Sequence, residues 1–509
     1  MHTTTSSNPA GEPGKEGQDE ALLARRAALR MRAETILAVP EGYALTIEEY
    51  EPSTGRDGAA AMFVWTLPGT DNGITVELGE QGDLLHYSDD TGKPLGLAEE
   101  VLSFEELRRR ALRFVTELYP DALDRFVPVR DSSPPGGGQL YEYGQMAMDL
   151  PLPRSGFRVR IAEDGTVTGF RYFGSQQEPA VPAELVPKEK LLQRLAASTD
   201  LRLELSLVTE HAAAPVREKL RLVYRPHPYV SSFEADARKA GEAESLTEES
   251  EQEDDIEAAW EEVAVPADEP AAASEPDVLR WAGHDPGQYE LLRQAEIDGK
   301  TGFVWRRTDY TPAPGVQDAL SINSFFHNRN EQTIKAMLDP ESGRLVSFMR
   351  FDKASGPLCL SREECRDIAV RLINRAAPGL LPYLRLKTDD SREDCDTELF
   401  EFRLQIGGVQ LETDRIRICI NKTTGQPDQF IGLSVGPGQL AGFDPAPRVS
   451  VADVKKIYMD SVDLRPEWAT DYSDSAPERR YKLTYRLVDR LTGRQVRLID
   501  ANSGEPLCF

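Results

Sequence analysis

Apolar and polar residues alternate in short runs along most of this chain. Phe157-Val159-Ile161, Phe400-Phe402-Leu404 and Ile416-Ile418-Ile420 each put an apolar side chain at every second position. Such alternation predicts strands with one buried face. Between these runs the spacing changes to that of helices. Leu107, Ala111, Phe114 and Leu118 share one face, and so do Cys365, Ile368, Ala369, Leu372 and Ile373. Each set follows a Ser-x-x-Glu signature, Ser103 to Glu106 and Ser361 to Glu364. In a capping box the serine accepts from the third helical amide while the glutamate reaches back. Pro120 and Pro378 then forbid continuation. Two more helices are predicted at 188–197 and 451–461, with Leu191, Leu192 and Leu195 matching Val454, Ile457 and Tyr458. Residues 22–37 predict an opening helix, whose later counterpart falls at 254–263 or 277–282.

These elements recur in order. Phe63-Val64-Trp65 returns as Phe303-Val304-Trp305, Gly82-Asp83-Leu84 as Gly343-Arg344-Leu345, and Leu222-Val223-Tyr224-Arg225 as Leu483-Thr484-Tyr485-Arg486. The offset stays near about 260 residues from Gly82 onward, which marks a duplication. A shorter period sits inside it. Gly82, Gly165, Gly343, Gly425 and Gly504 each end a turn between two predicted strands, roughly 80 residues apart within each copy. Glycine is needed where a tight hairpin demands positive φ. A degenerate sixth turn is expected near Gly241. A helix followed by three or four antiparallel strands, repeated about six times, reads as an α+β array.

The unit ending in apolar-Asp-x-x-Ser/Thr-Gly-x-apolar resembles the PepSY domain. It is best seen in Ile499-Asp500-Ala501-Asn502-Ser503-Gly504 and in Leu338-Asp339-Pro340-Glu341-Ser342-Gly343. The doubled arrangement is similar to the bacterial YcdB/YcdC repeat proteins, whose units are PepSY-like, over roughly residues 20–232 and 285–509. PepSY domains occur in propeptides of secreted metallopeptidases and in proteins that restrain or chaperone hydrolases. The resemblance therefore implies a non-catalytic, protein-binding role, with a peptidase or other hydrolase as the partner it modulates. It carries over no functional residues, because the shared motif is a structural turn.

Charge changes the picture at one place. The formal charge is −27, and residues 234–276 carry 16 acidic against two basic side chains. So acidic a surface repels phosphate backbones, and no nucleic-acid partner is expected. The expected domains are a disordered tail at 1–20, a first copy of three PepSY-like units at 21–240, an acidic low-complexity linker at 241–284, and a second copy of three units at 285–509. No signal peptide and no membrane span are expected, because neither a basic start with an apolar stretch nor 18 consecutive apolar residues is found. The five cysteines all lie in the second copy, so a fold the first copy builds without them needs no disulfide; reduced thiols in a cytoplasm are expected.

Catalytic signatures are missing. No zinc-protease, nucleophile-elbow or phosphate-loop motif is present, and the six histidines form no pair at helical spacing. No catalytic residue, metal or cofactor is therefore expected. The carboxylate pairs Glu105/Glu106 and Glu363/Glu364 sit in first helical turns, where they suit the helix dipole. Trp65 and Trp305 have two readings: core residues beneath the first helix of each copy, or exposed aromatic anchors for a partner. The reading preferred is a non-enzymatic protein that offers sheet edges to a polypeptide. A hydrolase or transferase with a site between the copies, and a structural spacer, are its rivals.

Overall fold

The computed structural model describes residues 15–50, 59–70, 72–90, 101–134, 137–210, 217–239, 246–248, 259–264, 275–311, 320–351, 354–388, 395–471 and 480–508. In chain order the first stretch forms α1 (Lys15–Ile36), β1 (Ala44–Tyr50), β2 (Ala59–Thr66), β3 (Gly73–Gly79), β4 (Leu84–Asp89), α2 (Phe104–Leu118), α3 (Ala122–Arg125), β5 (Val127–Ser132), β6 (Gln139–Gly144), β7 (Met146–Ala147), β8 (Leu150–Pro151), β9 (Gly156–Ile161) and β10 (Val167–Gly174). Next come α4 (Lys188–Ser198), β11 (Asp200–Glu210), β12 (Arg217–His227), β13 (Val230–Glu234), β14 (Leu246–Glu248) and β15 (Trp260–Glu262). The third stretch holds α5 (Glu275–Trp281), β16 (Tyr289–Ile297), β17 (Lys300–Arg307), α6 (Ile322–Asn330), β18 (Thr333–Leu338), β19 (Leu345–Arg350), α7 (Arg362–Ala376), β20 (Leu384–Lys387), β21 (Thr397–Ile406), β22 (Val409–Gln410), β23 (Ile416–Asn421) and β24 (Pro427–Ile431). The chain closes with α8 (Pro437–Leu440), α9 (Val451–Ser461), β25 (Val462–Asp471), β26 (Arg480–Asp489), β27 (Val496–Asp500) and β28 (Pro506–Cys508). The protein is mixed α+β, with antiparallel sheets and few helices.

Two compact units share the chain. Unit one is Met1–Ala183 with Pro314–His327 and Pro466–Thr484; unit two is Glu184–Ala313, Asn328–Arg465 and Tyr485–Phe509. In unit one an eight-stranded sheet runs β1-β2-β3-β4-β10-β9-β6-β5. Alternation along these strands leaves one apolar face, and α1 and α2 cover it. Leu29 and Ala33 of α1, with Leu107, Ala111 and Val115 of α2, join Phe63, Val76, Phe157, Val159 and Phe170 in one core. Each such leucine or phenylalanine contributes about 1.5–3 kcal/mol by leaving water. The segment 466–484 belongs here because the Trp468 indole Nε1 donates to the Ala147 carbonyl at 2.9 Å and the Tyr481 hydroxyl donates to the Pro153 carbonyl at 3.0 Å.

In unit two a ten-stranded sheet runs β15-β20-β21-β23-β24-β19-β18-β17-β16, with β22 paired off β21. The predicted stripe of α7 packs on it: Cys365, Ala369 and Ile373 are fully buried, as are Phe402, Ile418 and Ile420 on the strands beneath. Ser361 and Glu364 form a complete capping box, the carboxylate accepting from the Ser361 amide at 2.8 Å. Ser103 caps α2 but Glu106 does not reach back. Its carboxylate instead pairs with Arg109 and Arg110, three and four residues along the helix, which outcompetes the return bond.

A second sheet of unit two runs β11-β12-β27-β28. Here Val223 of the first copy faces Asp500 of the second, and Tyr224 faces Ile499. The four-stranded sheet β14-β13-β26-β25 has the converse order, a strand of the earlier segment beside a hairpin of the later one. Equivalent third strands are thus exchanged between the two copies.

Several expectations change. Helix α1 begins at Lys15, inside the tail expected at 1–20, while residues 1–14 lie outside the described residues. Residues 260–262 are a strand rather than part of a helix at 254–263, and α5 covers most of the alternative at 277–282. This strand anchors part of the acidic stretch: Trp260 pairs with Lys387, and the Arg403 guanidinium lies 4.5 Å from the Trp260 ring centre. The compact units also do not follow the copy boundary expected near 240. Residues 184–239 fall in unit two, and the pairing of β12 with β27 is the reason. The sixth turn, at Gly241, lies outside the described residues.

Candidate functional site

The five turn glycines all adopt positive φ, between 66° and 84°. In the second copy each turn is capped by the residue four places earlier. Asp500 Oδ1 accepts the amides of Asn502 and Ser503 at 2.9 Å, and Asp339 and Asn421 do the same work in their own turns. Burial raises the Asp500 carboxyl, but the amides of Ser503 and Asn502 and the Arg221 guanidinium outweigh it and hold it below its ordinary value. A further turn of this kind ends at Gly493, φ 69°, capped by Asp489. Val488-Asp489-Arg490-Leu491-Thr492-Gly493 carries the same apolar-Asp-x-x-Thr-Gly pattern in the sequence.

Trp65 and Trp305 occupy matched places on β2 and β17 and are only 4% and 3% exposed. Each lies near the phenylalanine two residues earlier, at 6.0 Å for Phe63 and 5.4 Å for Phe303. Neither indole faces solvent, so the anchor reading gives way to the core reading. Both strands are second from the sheet edge, where alternation turns these residues inward. None of the cysteines is in a disulfide. Among the described residues no cluster of three metal-ligating side chains is found, and no helix is long and apolar enough to cross a membrane.

The surface features that stand out are strand edges. β1 and β16 are equivalent: Leu45 faces Trp65 as Leu291 faces Trp305, and a bulge follows in both. At the edge of β1 the chain covers itself. The Glu48 amide donates to the Leu320 carbonyl at 2.6 Å, and Glu49 Oε1 accepts from the Ile322 amide at 2.8 Å. Arg26 and Arg30 of α1 hold the buried Glu48 carboxylate at 3.5 and 3.2 Å. β16 differs. Leu291, Leu292 and Ile297 are 43%, 47% and 47% exposed. Gln294, which faces Phe303 as Glu48 faces Phe63, directs its amide outward with no acceptor among the described residues. α5, the α-helix that precedes β16, spans seven residues against 22 for α1.

A second edge lies on β12. The Ala501 amide donates to Leu222 O at 2.9 Å, and on the other side of the hairpin Leu205 O accepts from Glu412 N. Leu205 faces Leu222, so this is a pair whose backbone groups point away from each other. Two residues on, Leu220 points its amide and carbonyl the same way, past the end of β27. A cleft of about 450 Å3 beside β12 is lined by Lys219, Leu220, Arg221, Leu222, Gln439, Phe443, Asp500 and Asn502. Arg221 Nη1 meets Asp500 Oδ2 at 3.1 Å on its floor.

The repeated domain of YcdB and YcdC matches residues 26–174 and again 285–433, together more than half of the sequence. The chain belongs to that family. It is 30% identical to YcdB of Bacillus subtilis (strain 168) over 96% of its length and 98% of that protein's. It is 27% identical to YcdC of the same organism over 90% of its length and 96% of that protein's. The Bacillus megaterium YpeB C-terminal domain aligns at a TM-score of 0.24 and 12% identity, over 41% of this chain and 92% of that domain, too loosely to argue from. Each match of the repeated domain ends just after one large sheet. The exchanged strands at 200–234 and 462–508 lie outside both matches.

Proposed function

We propose that this family member is a non-enzymatic, cytoplasmic polypeptide-binding protein that takes an extended segment of a partner protein along β16. One observation carries the reading: the equivalent edge, β1, is already paired by the chain's own residues 320–322, whereas β16 presents Leu291, Leu292, Ile297 and the Gln294 amide to solvent. A long apolar edge is an invitation to strand addition, in which backbone bonds give affinity and alternate side chains give selectivity. The helix-plus-sheet units are read as PepSY-like and about six in number, which makes a peptidase or other hydrolase the partner class to examine first. The exposed edge favours binding over a bare spacer role.

The test uses displayed random dodecapeptides selected against the full chain, followed by hydrogen exchange. Selected peptides are expected to slow exchange of the outward amides in 289–297, and Leu291→Arg with Leu292→Glu is expected to abolish both binding and protection. Peptides that protect other segments, or that bind the double variant equally well, overturn the assignment. Edge-to-edge pairing of two copies, seen as a dimer in light scattering with the same protected amides, would replace the partner by a second chain.

A further inference from the structure

We infer that the eight-stranded sheet, on the face turned away from α1 and α2, holds an anion site over Gly169 that takes the phosphate monoester group of a small molecule. Val159, Phe170 and Tyr87 belong to the core on the helix side. Their neighbours Arg158, Arg160, Gly169, Arg171, His86 and Ser88 therefore share the other face. Register sets these six in a block. Arg160 faces Gly169, which faces Ser88; Arg158 faces Arg171, which faces His86. Three corners of the square on β9 and β10 are thus arginine, and the fourth has no side chain. The block measures about 10 by 7 Å, room for one phosphoryl group and not for a nucleic-acid backbone. Gly169 does not adopt positive φ, so the backbone does not demand glycine there. A glycine inside a strand leaves space for a close approach from outside.

Two carboxylates border the block. Arg158 Nε meets Glu142 Oε1 at 3.2 Å, and Arg171 Nη1 meets Glu77 Oε2 at 2.7 Å. Each guanidinium spends one nitrogen there and keeps donors for a second acceptor. Arg160 is exposed and makes no ion pair or side-chain hydrogen bond among the described residues. Like charges directly opposite, as Arg158 and Arg171 are, repel, and a dianion beside them relieves this. His86 Nδ1 donates to the Phe170 carbonyl at 3.1 Å, which leaves Nε2 to donate to the anion once protonated. A tetrahedral dianion accepts from several sides, which a planar monoanion does not, and arginine suits it. The duplication supplies the contrast. Register places Cys419, Gln429, Met349, Ile431 and Ser347 where Arg160, Gly169, Ser88, Arg171 and His86 stand, and of the arginines only Arg158 has a counterpart, Arg417. There Gln429 fills the corner and accepts from the Cys419 thiol at 3.8 Å. The site belongs to the first copy alone.

His86 reports on the site. Burial holds its imidazole below the ordinary value; Glu77 on β3 and Asp90 after β4 pull it up, and Arg171 on β10 pushes it down. A bound dianion joins the groups that favour the charged ring. Imidazole NMR of the full chain, labelled at its six histidines, reads the binding of inorganic phosphate. Phosphate is expected to raise the His86 midpoint by at least about half a pH unit and to leave the other histidines in place. At pH 7.5 the His86 signal is expected to half-saturate below about 10 mM phosphate, with acetate at matched ionic strength moving it little. Arg160→Ala and Gly169→Gln are each expected to weaken binding at least about tenfold. The second of these leaves every charge in place and so tests the corner itself. Arg113→Ala, on an exposed position of α2, controls for net charge and is expected to change affinity less than about twofold. Should Gly169→Gln not fold, Arg160→Ala decides. Equal shifts at all six histidines, equal effects of acetate and phosphate, no saturation, or unaltered binding in either folded variant overturns the proposal.

Discussion

The edges β1 and β16 are the same strand twice, with the same bulge and the same tryptophan across the ladder, yet among the described residues one is covered and the other is not. The extra residue of the bulge shows how far they have diverged. In β1 it is Thr46, whose hydroxyl donates to the Val64 carbonyl at 3.0 Å; in β16 it is Leu292, turned to water. Glu48, clamped by two arginines of a 22-residue helix, is matched by an exposed Gln294 after a seven-residue helix. A covered edge needs specific polar partners, whereas an edge kept for another chain needs apolar side chains. Duplication supplied two copies of one edge, and under the proposed function the residues around them separate stability from recognition.

The largest expected effects lie in the turns, where the two copies also differ. In the second copy the turn glycine bonds back to the capping residue four places earlier, Gly504 N to Asp500 O at 2.8 Å; in the first, Gly82 N reaches only three, to Gly79 O. A Cβ at Gly504 would lie 2.9 Å from Ile457 Cδ1, and at Gly82 it would lie 3.3 Å from the flexible Arg32 side chain. Gly504→Val is therefore expected to cost about 3–5 kcal/mol, from positive φ plus overpacking, and Gly82→Val less. Ser503→Ala is expected to cost at most about 1 kcal/mol. Chemical denaturation of the three variants measures this. Equal losses at Gly504 and Ser503 would remove the argument that the backbone, not the capping hydroxyl, demands this residue.

Acid sharpens the same contrast. Asp339, Asp489 and Asp500 are each raised by burial, but the turn amides outweigh burial and leave all three below their ordinary value. A carboxyl lowered in the folded state contributes stability that is complete above the unfolded pKa, about 3.9, and is lost as pH falls through the folded value. As pH falls below about 4, amides of the turns at 339–343, 489–493 and 500–504 are expected to lose exchange protection before those at 79–82. Asp500→Asn should flatten the acid limb of the melting curve. Simultaneous loss in all turns would show that the caps do not govern it.

Much of this architecture could be read from residue order alone, because it depends on local period. The alternating runs became strands, the stripes on 104–118 and 362–376 became α2 and α7, and the glycines marked the turns. What escaped was the choice of partner. Nothing local to Val223 says that it will face Asp500 rather than a strand of its own copy, since the two hairpins are equivalent and pairing is decided by closure of distant chain. The tryptophans were ambiguous for a related reason. An aromatic on an alternating strand looks the same whether a helix covers that face or water does. The openness of β16 was illegible too, because it rests on where 320–322 lies and not on the residues of β16 itself.

The Glu48 site tests whether coverage stabilises. Glu48→Ala removes a buried carboxylate from two arginines that are each about 40% exposed. Those arginines regain water, so the loss is expected near about 1–2 kcal/mol and not the larger penalty of a fully buried pair. Gln294→Ala at the equivalent place is expected to stay within about 0.5 kcal/mol. Paired thermal melts decide this, and equal shifts would mean that the two edges differ in appearance only.

The smallest expected change in stability carries the most weight for function. Replacing Leu291, Leu292 and Ile297 together by threonine keeps β propensity while removing apolar surface that water already reaches. In a core such truncations would cost several kcal/mol, but here the melting temperature is expected to hold within roughly 2 °C. The same triple change is expected to abolish binding of peptides selected on β16. A large drop in melting temperature would mean that these side chains are packed by the protein's own residues in solution. β16 would then be a covered edge like β1, and the division of labour between the two copies would fall with it.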